Sequence, residues 1–275
     1  MSEPISIIVT TKNEEGVIER LLKSVKAQTY KNIEIVVVDN YSSDSTRDIA
    51  KKYTDKVFLE GPERSAQRNY GARKSKGRFL LFLDADMKLS PKVVEECVKV
   101  VNQDKKIAGV VILEESIASN FWEKVKAYER SFYNLEGDEV TDAARFFKSE
   151  VFEKLKGFDE TITGPEDWDL TDRVKKKGYE IARVSSKIYH YEKITSLFSL
   201  VKKKYYYGLK AHRYLKKQKV KVISPKTIYF LRPIFYKHWK RLISKPILSL
   251  AMFTMFFLEM FVGGVGYLVG KIKNI

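Results

Sequence analysis

The chain has 275 residues, of which 44% are hydrophobic and 31% are charged. This composition supports a sizeable folded core and excludes a disordered or collagen-like chain. The single cysteine, Cys97, excludes a disulfide framework and a zinc site built on clustered cysteines, and it is typical of a reducing compartment. Because Cys97 lies on a helical pattern, we expect it to pack as a small hydrophobic residue rather than to act as a nucleophile.

The net charge of +16 lies entirely in the last 85 residues. Residues 1–190 carry 33 basic and 33 acidic side chains, whereas residues 191–275 carry 18 basic and 2 acidic ones. Such a basic region indicates binding to an anionic membrane or to nucleic acid. The stretch Pro246–Gly270 has Glu259 as its only charge, and as a helix it would be about 37 Å long, against a hydrocarbon core of about 30 Å. We therefore expect the chain to meet a bilayer.

Residues 5–114 alternate short β-rich runs with helical patterns. Strands are predicted at Ile5–Thr10, Ile33–Val38, Val57–Glu60, Phe79–Leu83 and Ile107–Leu113. Helices are predicted at Glu15–Gln28, Ser45–Tyr53, Ser65–Lys74 and Lys92–Asn102. This alternation indicates an α/β fold with βαβ units, a mostly parallel sheet and helices on both faces. Ligands of such sheets bind at the carboxyl ends of the strands, so the residues that follow each strand are the candidates for function.

The rest of the chain divides into a second zone and a basic tail. A long helix is predicted at Asn120–Leu135, followed by short elements as far as His190. The segments Ser196–Lys217 and Pro225–Lys245 interleave cations with aromatic residues, which is typical of helices in a membrane interface. The predicted domains are residues 1–191, an α/β domain, residues 192–245, basic amphipathic helices, and residues 246–275, a membrane anchor.

Small polar side chains follow the first two predicted strands. They are Thr10, Thr11, Asn13 and Glu14 after the first strand, and Asp39 and Ser42 after the second. Helix capping is one interpretation, with Asn13 and either Ser43 or Asp44 as N-caps. Capping does not account for Asp39, which directly ends an apolar strand and could hydrogen-bond a base or a ribose.

Two carboxylates, Asp84 and Asp86, follow the fourth predicted strand. Because strand side chains alternate, residues two apart point to the same side. Two like charges at close range repel unless a cation joins them, and oxygen ligands favour Mg²⁺ or Mn²⁺, which could bridge to a diphosphate. A lone Asp-X-Asp also occurs in ordinary turns. His190 is either a structural histidine or a neutral imidazole that completes this metal site.

The segment Gly164–Leu170 places Glu166 and Asp167 at the start of a predicted helix. Acidic residues in a first helical turn complement the helix dipole. The functional alternative is a general base at the helix N-terminus, beside an acceptor hydroxyl. The residues alone leave both interpretations open.

Five segments together resemble the family 2 glycosyltransferases, which have the GT-A fold. In chain order they are ISIIVTTKNEE, IEIVVVDNYSSDSTRDIA, RNYGARKSKGRFLLFLDAD, FFKSEVFEKLKGFDE and GPEDWDL. The resemblance covers roughly residues 5–191. It implies an enzyme that takes one sugar from a nucleotide-sugar donor, GDP- or UDP-linked, inverts its anomeric centre and depends on Mn²⁺ or Mg²⁺.

The resemblance also implies roles for the matching residues. Thr10, Thr11, Asn13 and Glu14 match the first nucleotide-contacting loop, Asp39 with Ser42 matches the contact to the base, and Arg68 and Asn69 match the segment beside the donor. Asp84 and Asp86 match the metal-binding pair, with Asp84 also beside the donor. His190 falls where many GT-A enzymes carry a late metal-ligating histidine. Asp167 matches the catalytic base, and Glu166 is its neighbour in the acceptor site.

The chain departs from the processive polysaccharide synthases, because their Gln-X-X-Arg-Trp motif is absent. The run Lys202–Tyr207 stands at the corresponding position of the chain. The absence of the motif favours transfer of a single sugar over polymerisation. Lys202, Lys203 and Tyr207 could contact the donor diphosphate or a lipid phosphate. A solvated or headgroup-facing side of a helix is the alternative.

The tail predicts a lipid-borne acceptor, either a polyprenyl or dolichyl phosphate or a glycan on its diphosphate, at a membrane of anionic lipids. Pro246–Gly270 could span the membrane once, form a re-entrant hairpin or dock as an apolar helix. For a single span, six cations before it and two after it would keep the α/β domain in the cytoplasm. The N-terminus shows no signal-peptide pattern, in agreement with that location. Glu259 is expected to face protein, water or another chain.

Two alternatives concern the acceptor and the class of protein. The Glu166-Asp167 motif favours a sugar hydroxyl as acceptor, since a lipid phosphate is already anionic and needs no general base. A membrane-bound nucleic-acid- or lipid-binding protein is the remote alternative. The charge balance of residues 1–190 argues against it, so no nucleic-acid partner is expected.

Overall fold

A computed structural model describes residues 2–134, 137–138 and 140–273. The chain forms two compact units. Unit 1 comprises Met1–Glu114, Ala143–Glu160 and Glu166–His190, and unit 2 comprises Glu115–Asp142, Thr161–Pro165 and Tyr191–Ile275. The change in charge after residue 190 therefore coincides with a unit boundary. The three predicted domains divide the chain differently, since residues 115–142 group with the C-terminal region and the amphipathic and apolar segments share one unit.

Eight strands form one mixed sheet in the order β3-β2-β1-β4-β7-β6-β8-β5. The strands are β1 (Ile5–Thr11), β2 (Ile33–Asp39), β3 (Val57–Leu59), β4 (Phe79–Asp84), β5 (Met87–Leu89), β6 (Ile107–Ile117), β7 (Phe146–Lys148) and β8 (Glu180–Tyr191). Strands β3, β2, β1 and β4 pair in parallel, which confirms the predicted βαβ arrangement. Strand β7 pairs antiparallel with β4 and β6, and β5 with β8. The sheet is mixed rather than mostly parallel because β5, β7 and β8, which were not predicted, add antiparallel pairs.

Eleven α-helices occur among the described residues. They are α1 (Ile18–Lys26), α2 (Thr46–Lys51), α3 (Arg64–Lys74), α4 (Val93–Val101), α5 (Phe121–Tyr133), α6 (Ser149–Lys154), α7 (Glu166–Lys176), α8 (Leu197–Gln218), α9 (Pro233–Lys237), α10 (Trp239–Ser244) and α11 (Pro246–Lys273). Helix α1 begins three residues later than predicted, and its N-cap is Val17, so Asn13 is not a helix cap. The N-cap of α2 is Ser45 rather than Ser43 or Asp44.

The alternation of side chains along the central strands gives unit 1 two hydrophobic cores. On one face, Ile7 and Val9 of β1 are buried in a cluster with apolar residues of α1 and α4. On the other face, Ile8 is buried with residues of α6 and α7, and residues of α3 pack against them. A Cβ atom at Gly71 would lie 2.6 Å from Ile8 Cγ2, so glycine permits the close approach of α3 to β1. Helix α3 is thereby held against the centre of the sheet.

Unit 2 has a hydrophobic core of its own. It is built from Val125 and Phe132 of α5, Phe235 of α9, and Met252 and Phe256 of α11. Helices α5 and α8 begin with capping boxes at Asn120 and Ser196, which confirms their predicted starts. The predicted end of the first of these helices, Leu135, lies outside the described residues.

The segment Pro225–Lys245, which was expected to form part of the basic amphipathic helices, is only partly helical. This segment contains a 3₁₀ turn at Tyr229–Leu231 and the two short helices α9 and α10. Pro233 has no backbone N–H to donate to a preceding turn, so a helix begins there instead of continuing through it. His238 ends α9 with non-helical backbone angles.

Helix α11 is 28 residues long and is the one helix among the described residues that is long and apolar enough to cross a membrane, by length and composition. Its acidic residue, Glu259, is buried, and Lys126 and Lys204 each lie 3.3 Å from one of its carboxylate oxygens. Of the three expected surroundings of Glu259, which were protein, water or another chain, the structure shows the first.

Candidate active site

The carboxyl ends of the parallel strands bring the predicted strand-end residues together. Thr11 is the register partner of Asp39 across β1 and β2, and Thr10 is the partner of Asp84 across β1 and β4. Thr10 Oγ1 also donates to Asp84 Oδ1 over 3.4 Å. The strand register therefore places these residues at one edge of the sheet.

Asp39 is the last residue of β2, and its side chain holds the loop that follows. It is completely buried, its Oδ1 accepts from the Ser42 backbone N–H over 2.7 Å, and its Oδ2 accepts from the Ser42 hydroxyl. Ser42 Oγ in turn accepts from the Asn13 backbone N–H over 2.7 Å, and Asn13 Oδ1 accepts from the Ser43 N–H over 2.9 Å. Asn13 adopts a φ of 53°, a left-handed conformation that asparagine tolerates better than most residues. The loops after β1 and β2 are therefore tied to each other.

Two other members of the first loop have distinct surroundings. Thr11 Oγ1 is buried and has no hydrogen-bond partner among the described residues. The backbone N–H of Glu14 donates to Thr46 Oγ1 over 2.7 Å, which fixes this loop against the start of α2. The backbone of the first loop is thus held in place by side chains from the second.

Three arginines surround the carboxylate of Asp84. Arg64 and Arg68 lie one turn apart on α3, and Arg145 directly precedes β7. Asp84 Oδ1 accepts from Arg68 Nη2 over 3.1 Å, while Asp84 Oδ2 lies 3.7 Å from Arg64 Nη1 and 3.5 Å from Arg145 Nη1. Burial alone would raise the pKa of Asp84, but the charges of Arg68, Arg64 and Arg145 hold it well below its usual value.

The two acids at the start of α7 face the same arginines. Asp167 Oδ1 accepts from Arg68 Nη1 over 2.6 Å, and Glu166 Oε1 lies 3.2 Å from Arg64 Nη2. The side chain of Asp167 is 27% exposed, whereas that of Glu166 is 2% exposed. Glu166 Oε2 is buried without a hydrogen-bond partner among the described residues. The predicted acids Asp84, Glu166 and Asp167 therefore converge on the end of β4, and Asp167 is the most exposed of the three.

Asp86 and His190 form a second group beside this cluster. His190 is the register partner of Met87 across β5 and β8, which brings its Nε2 to 3.5 Å from Asp86 Oδ1. Its other ring nitrogen, Nδ1, lies 3.4 Å from Glu114 Oε2. The charge of Arg145 and the contact to His190 lower the pKa of Glu114 against the effect of its burial.

This group fits a divalent cation by its chemistry. A carboxylate oxygen and an imidazole nitrogen suit Mn²⁺, and metal-binding histidines usually place their second ring nitrogen against a carboxylate, as His190 does with Glu114. Among the described residues, no set of three histidine, cysteine or acidic side chains is arranged to hold a metal ion. Asp86 and His190 would therefore hold the ion together with oxygens from a substrate or water.

Two of the predicted site residues have protein partners, and their expected roles, Asp84 at the metal and Asn69 beside the donor, stay predictions. Asp84 lies against three arginines. Asn69 holds the turn after α6, where its Nδ2 donates to Phe158 O and Glu160 Oε1, each over 2.9 Å. Its Oδ1 accepts from the Phe158 N–H, so both polar ends of Asn69 have protein partners.

Lys202, Lys203 and Tyr207 lie on α8 in unit 2. Lys202 and Lys203 are exposed, and Lys203 Nζ lies 5.6 Å from the centre of the Tyr207 ring. Tyr207 packs beside Gly164, whose φ of 102° favours glycine. Their contact with a phosphate remains a prediction.

Sequence reasoning missed Arg64, Arg145 and Glu114. A signal for Glu114 was present, since it directly follows a predicted apolar strand, as Asp39 and Asp84 do. Arg64 had a weaker signal, because it directly precedes the predicted helix Ser65–Lys74 and stands four residues before Arg68. Arg145 directly precedes the segment FFKSEVFEKLKGFDE, in which no strand was predicted. Its position at the site depends on the antiparallel pairing of β7 with β4.

A family model described as glycosyl transferase family 2 matches residues 6–159, which is more than half of the chain. The chain belongs to glycosyl transferase family 2. A second model, described as the N-terminal domain of galactosyltransferase, matches residues 125–196 of this family 2 chain.

Curated relatives include several proteins named as glycosyltransferases. An uncharacterized glycosyltransferase of Methanocaldococcus jannaschii is 27% identical over 86% of this chain and 87% of its own length. One of Rickettsia typhi is 28% identical over 68% of this chain and 61% of its own length. Glycosyltransferase GlyA of Streptococcus pneumoniae is 28% identical over 70% of this chain. The chain spans 31% of that protein, less than half of it.

Solved structures show the same fold at low identity. Mannosyltransferase PcManGT from Pyrobaculum calidifontis, in complex with GDP-Man and Mn²⁺, is 20% identical with a TM-score of 0.57 over 93% of this chain and 74% of its own. Residues 1–349 of S. aureus TarS, in complex with UDP, are 19% identical with a TM-score of 0.56 over 75% of this chain and 65% of their own. The predicted α/β fold of the GT-A type is confirmed.

Proposed function

We propose that this chain is an inverting, metal-dependent glycosyltransferase that moves one sugar from a nucleotide-sugar donor to a hydroxyl of a lipid-linked acceptor at the cytoplasmic face of a membrane. Family membership supports the transfer of a sugar. The observation that carries the proposal is the cluster of charges at the carboxyl end of β4. There Arg68 pairs with Asp167, Arg64 with Glu166, and Arg145 with Asp84. Parallel α/β sheets bind their ligands at this edge.

The three arginines are suited to a leaving nucleoside diphosphate. A guanidinium group recognises phosphate oxygens with the same planar donors that it offers to carboxylates. Each of the three now pairs with at least one carboxylate, so a diphosphate at this edge would compete with acids such as Asp84 for their donors. The arginines would then neutralise the charge that develops on the donor as the sugar departs.

Asp167 is suited to act as the general base. Its carboxylate is partly exposed, and Arg68 fixes its orientation through Oδ1. An acceptor hydroxyl beside this carboxylate would lose its proton to Asp167 as its oxygen attacks the sugar C1 from the side opposite the diphosphate, and the configuration at C1 would be inverted. Glu166, buried next to Asp167 with Oε2 unbonded, is placed to accept a hydrogen bond from a sugar hydroxyl.

Asp86 and His190 would hold the cation, with Glu114 orienting the imidazole ring. When bound, a divalent ion supplies charge neutralisation to the diphosphate leaving group. The complex of PcManGT with Mn²⁺ supports the choice of Mn²⁺, and Mg²⁺ is the second candidate.

The donor base is proposed to lie against Asp39 and the loop after β1. Complexes of the structural neighbours with GDP-Man and with UDP support a nucleotide sugar of either kind. Thr11 Oγ1, buried without a partner among the described residues, is a further group placed to bond the nucleotide.

The lipid-linked acceptor and the anionic membrane are supported by the cationic surplus of residues 191–275 and by the apolar helix α11. The charge balance of residues 1–190 gives no support to a nucleic-acid partner.

The test uses the full chain in detergent. Calorimetry with GDP- and UDP-sugars, with and without Mn²⁺, should show binding of one nucleotide class that depends on the metal and is lost in Asp86→Ala. Transfer to a polyprenyl-diphosphate-linked sugar should then fall by roughly 100- to 10,000-fold in Asp167→Asn. Asp48→Asn, an exposed aspartate on α2, is the matched control and should retain activity.

The outcomes separate the acceptor classes. Substantial activity of Asp167→Asn toward polyprenyl phosphate would mean that the lipid phosphate is the acceptor and that no base is used. Absence of binding to every nucleotide in the presence of Mn²⁺ would overturn the proposal.

A further inference from the structure

Helix α11 has one face that is exposed and apolar along its whole length. Exposed large side chains recur at helical spacing, at Ile247, Leu250, Phe257, Phe261, Val265, Leu268 and Ile272. Most of them are more than half exposed, and Ile272 reaches 83%. Soluble proteins rarely expose a continuous apolar patch of this length, because contact with water disfavours it. The stripe therefore requires an apolar partner.

The opposite face of α11 is bound to α5 and α8 by buried charges. Lys126 on α5 lies 3.3 Å from Glu259 Oε1, and Lys204 on α8 lies 3.3 Å from Glu259 Oε2. Glu129 adds a second carboxylate 2.5 Å from Lys126. Two cations and two anions thus neutralise one another within unit 2. Separating α11 from these helices would leave buried charges without partners, which is strongly unfavourable.

Helices α8 and α11 touch through their backbones. A Cβ atom at Gly208 would overlap the Gly263 carbonyl oxygen, and one at Gly266 would overlap that of Tyr205. One at Gly270 would overlap the Leu209 carbonyl oxygen. The Lys204–Glu259 pair comes first and the Leu209–Gly270 contact comes last along both helices, so the two run side by side in the same direction over the C-terminal half of α11.

Helix α8 is too basic to enter the interior of a bilayer. It carries Lys202, Lys203, Lys204, Lys210, Arg213, Lys216 and Lys217, together with His212. If α11 crossed a membrane, the paired helix α8 would be drawn into the hydrocarbon with these cations. Such residues are costly there unless a partner or water accompanies each one, and Lys204 is the one that Glu259 neutralises.

We infer that α11 is an in-plane helix, which lies on an anionic bilayer with its exposed stripe among the acyl chains and α8 on the side away from them. This inference rests on the membrane location in the proposed function, but not on the sugar-transfer chemistry. It selects the docked apolar helix among the three arrangements that the sequence left open.

The residues on either side of α11 fit the headgroup region of such a bilayer. Before it, α9 and α10 expose Tyr236, Trp239 and Ile243 next to the exposed cations Lys237, Lys240 and Lys245. In its last turn α11 carries Lys271 and Lys273. Aromatic and basic residues at both ends of an apolar face are typical of interfacial helices on anionic lipid. A second copy of this chain fits less well, because it would bring two net charges of +16 together.

The depth of residues along α11 in a membrane distinguishes an in-plane helix from a spanning helix. Nitroxide labels at Leu250→Cys, Phe257→Cys, Phe261→Cys and Leu268→Cys would be read by electron paramagnetic resonance on vesicles of phosphatidylcholine and phosphatidylglycerol. Cys97 is buried and can stay in place. We expect one similar, shallow depth for all four labels. A depth that passes through the bilayer centre along the series would show a spanning helix and overturn the inference.

A variant tests the stripe directly. Replacing Phe257 and Phe261 together by glutamate should weaken vesicle binding of the full chain by about tenfold or more, since two large apolar side chains are lost from the contact. Leu59→Glu, an exposed leucine in unit 1, is the matched control and should bind vesicles as the unchanged chain does. Unchanged binding of the double variant, or a lipid-free dimer that the double variant dissociates, would overturn the inference.

Binding of the nucleotide-sugar donor, measured in the same double variant, keeps this inference separate from the proposed function. If no donor binds the unchanged chain, the proposed function fails, and the label depths still decide the position of α11. If the donor binds and the labels traverse the bilayer, the inference alone fails.

Discussion

Arg68 donates from Nη1 to Asp167 Oδ1 over 2.6 Å, and the same guanidinium donates from Nη2 to Asp84 Oδ1 over 3.1 Å. One buried side chain on α3 therefore holds the end of β4 and the start of α7. Its Cζ also lies 5.2 Å from the centre of the Phe158 ring. The proposed base is thus positioned by a residue whose own place is set by the packing of α3 on the sheet.

Replacing Arg68 by lysine should destabilise unit 1 by about 2 kcal/mol, because a single ammonium group cannot donate to both carboxylates and one charge-assisted hydrogen bond is lost. Urea unfolding of the full chain measures this. Arg73→Lys, at an exposed position of the same helix, should change the free energy of unfolding by less than about 0.5 kcal/mol. Equal stability of the two variants would show that the Arg68 contacts contribute little.

The strand-end residues could be predicted because their positions follow from local patterns. Asp39 and Asp84 directly end apolar runs, and parallel strands place such residues at one edge. The partner of Asp39, Ser42, lies nearby in the chain and was predicted with it, whereas Asp84 has a partner from a distant part of the chain that could not be predicted. Arg145 reaches Asp84 only through the antiparallel strand β7, whose three residues are too few to show a period.

The contact between His190 and Glu114 leads to a prediction about metal affinity. Glu114→Gln keeps the shape of the side chain but weakens the acceptor that orients the imidazole, so the affinity for Mn²⁺ should fall by roughly 10- to 100-fold. The measurement is a Mn²⁺ titration of the full chain by electron paramagnetic resonance in the presence of the donor nucleotide. Glu115→Gln, one residue further along, is the control.

An affinity for Mn²⁺ that falls equally in both variants would contradict the role of Glu114. Prior treatment with EDTA should remove donor binding in the unchanged chain, and added Mn²⁺ should restore it.

Burial raises the pKa of the Cys97 thiol, and the charge of Glu96 raises it further. Only the thiolate reacts with disulfide reagents, and Cys97 is completely buried in the core of unit 1. We expect Cys97 to react with Ellman's reagent more than about 1,000-fold more slowly in the folded chain than in the unfolded chain at mildly alkaline pH. Rapid reaction without denaturant would show that α4 opens readily.

The lowered pKa of Glu34 leads to a prediction of how the free energy of unfolding depends on pH. Burial would raise its pKa, but bonds from Lys56, the Lys76 backbone N–H and Ser6 lower it below the usual value of 4.5. The folded chain therefore keeps this carboxylate ionised at a pH where the unfolded chain binds a proton. The stability that it contributes is complete above about pH 4.5 and is lost as the pH falls toward its lower folded-state pKa.

Glu34→Gln should accordingly lower the free energy of unfolding by about 1 kcal/mol at neutral pH, with a smaller difference from the unchanged chain in acid. Urea titrations at a series of pH values measure both quantities. Glu150→Gln, on the exposed side of α6, is the control. A difference that stays constant with pH would mean that ionisation of Glu34 is not the cause.

The buried charges of unit 2 lead to the last prediction. Glu259→Gln removes the carboxylate between Lys126 and Lys204, which leaves two buried cations with Glu129 as the remaining anion nearby. The variant should lose about 3 kcal/mol of stability, because an unpaired buried charge is costly. The double variant with Lys204→Met removes one cation as well and should recover part of that loss, so its stability should exceed that of Glu259→Gln.

Chemical unfolding in detergent, followed by the fluorescence of the tryptophans, measures the stability of the unchanged chain and of both variants. If the double variant were less stable than Glu259→Gln, Lys204 would contribute to unit 2 through something other than its pairing with Glu259, such as its bond to the Tyr229 hydroxyl at 2.8 Å.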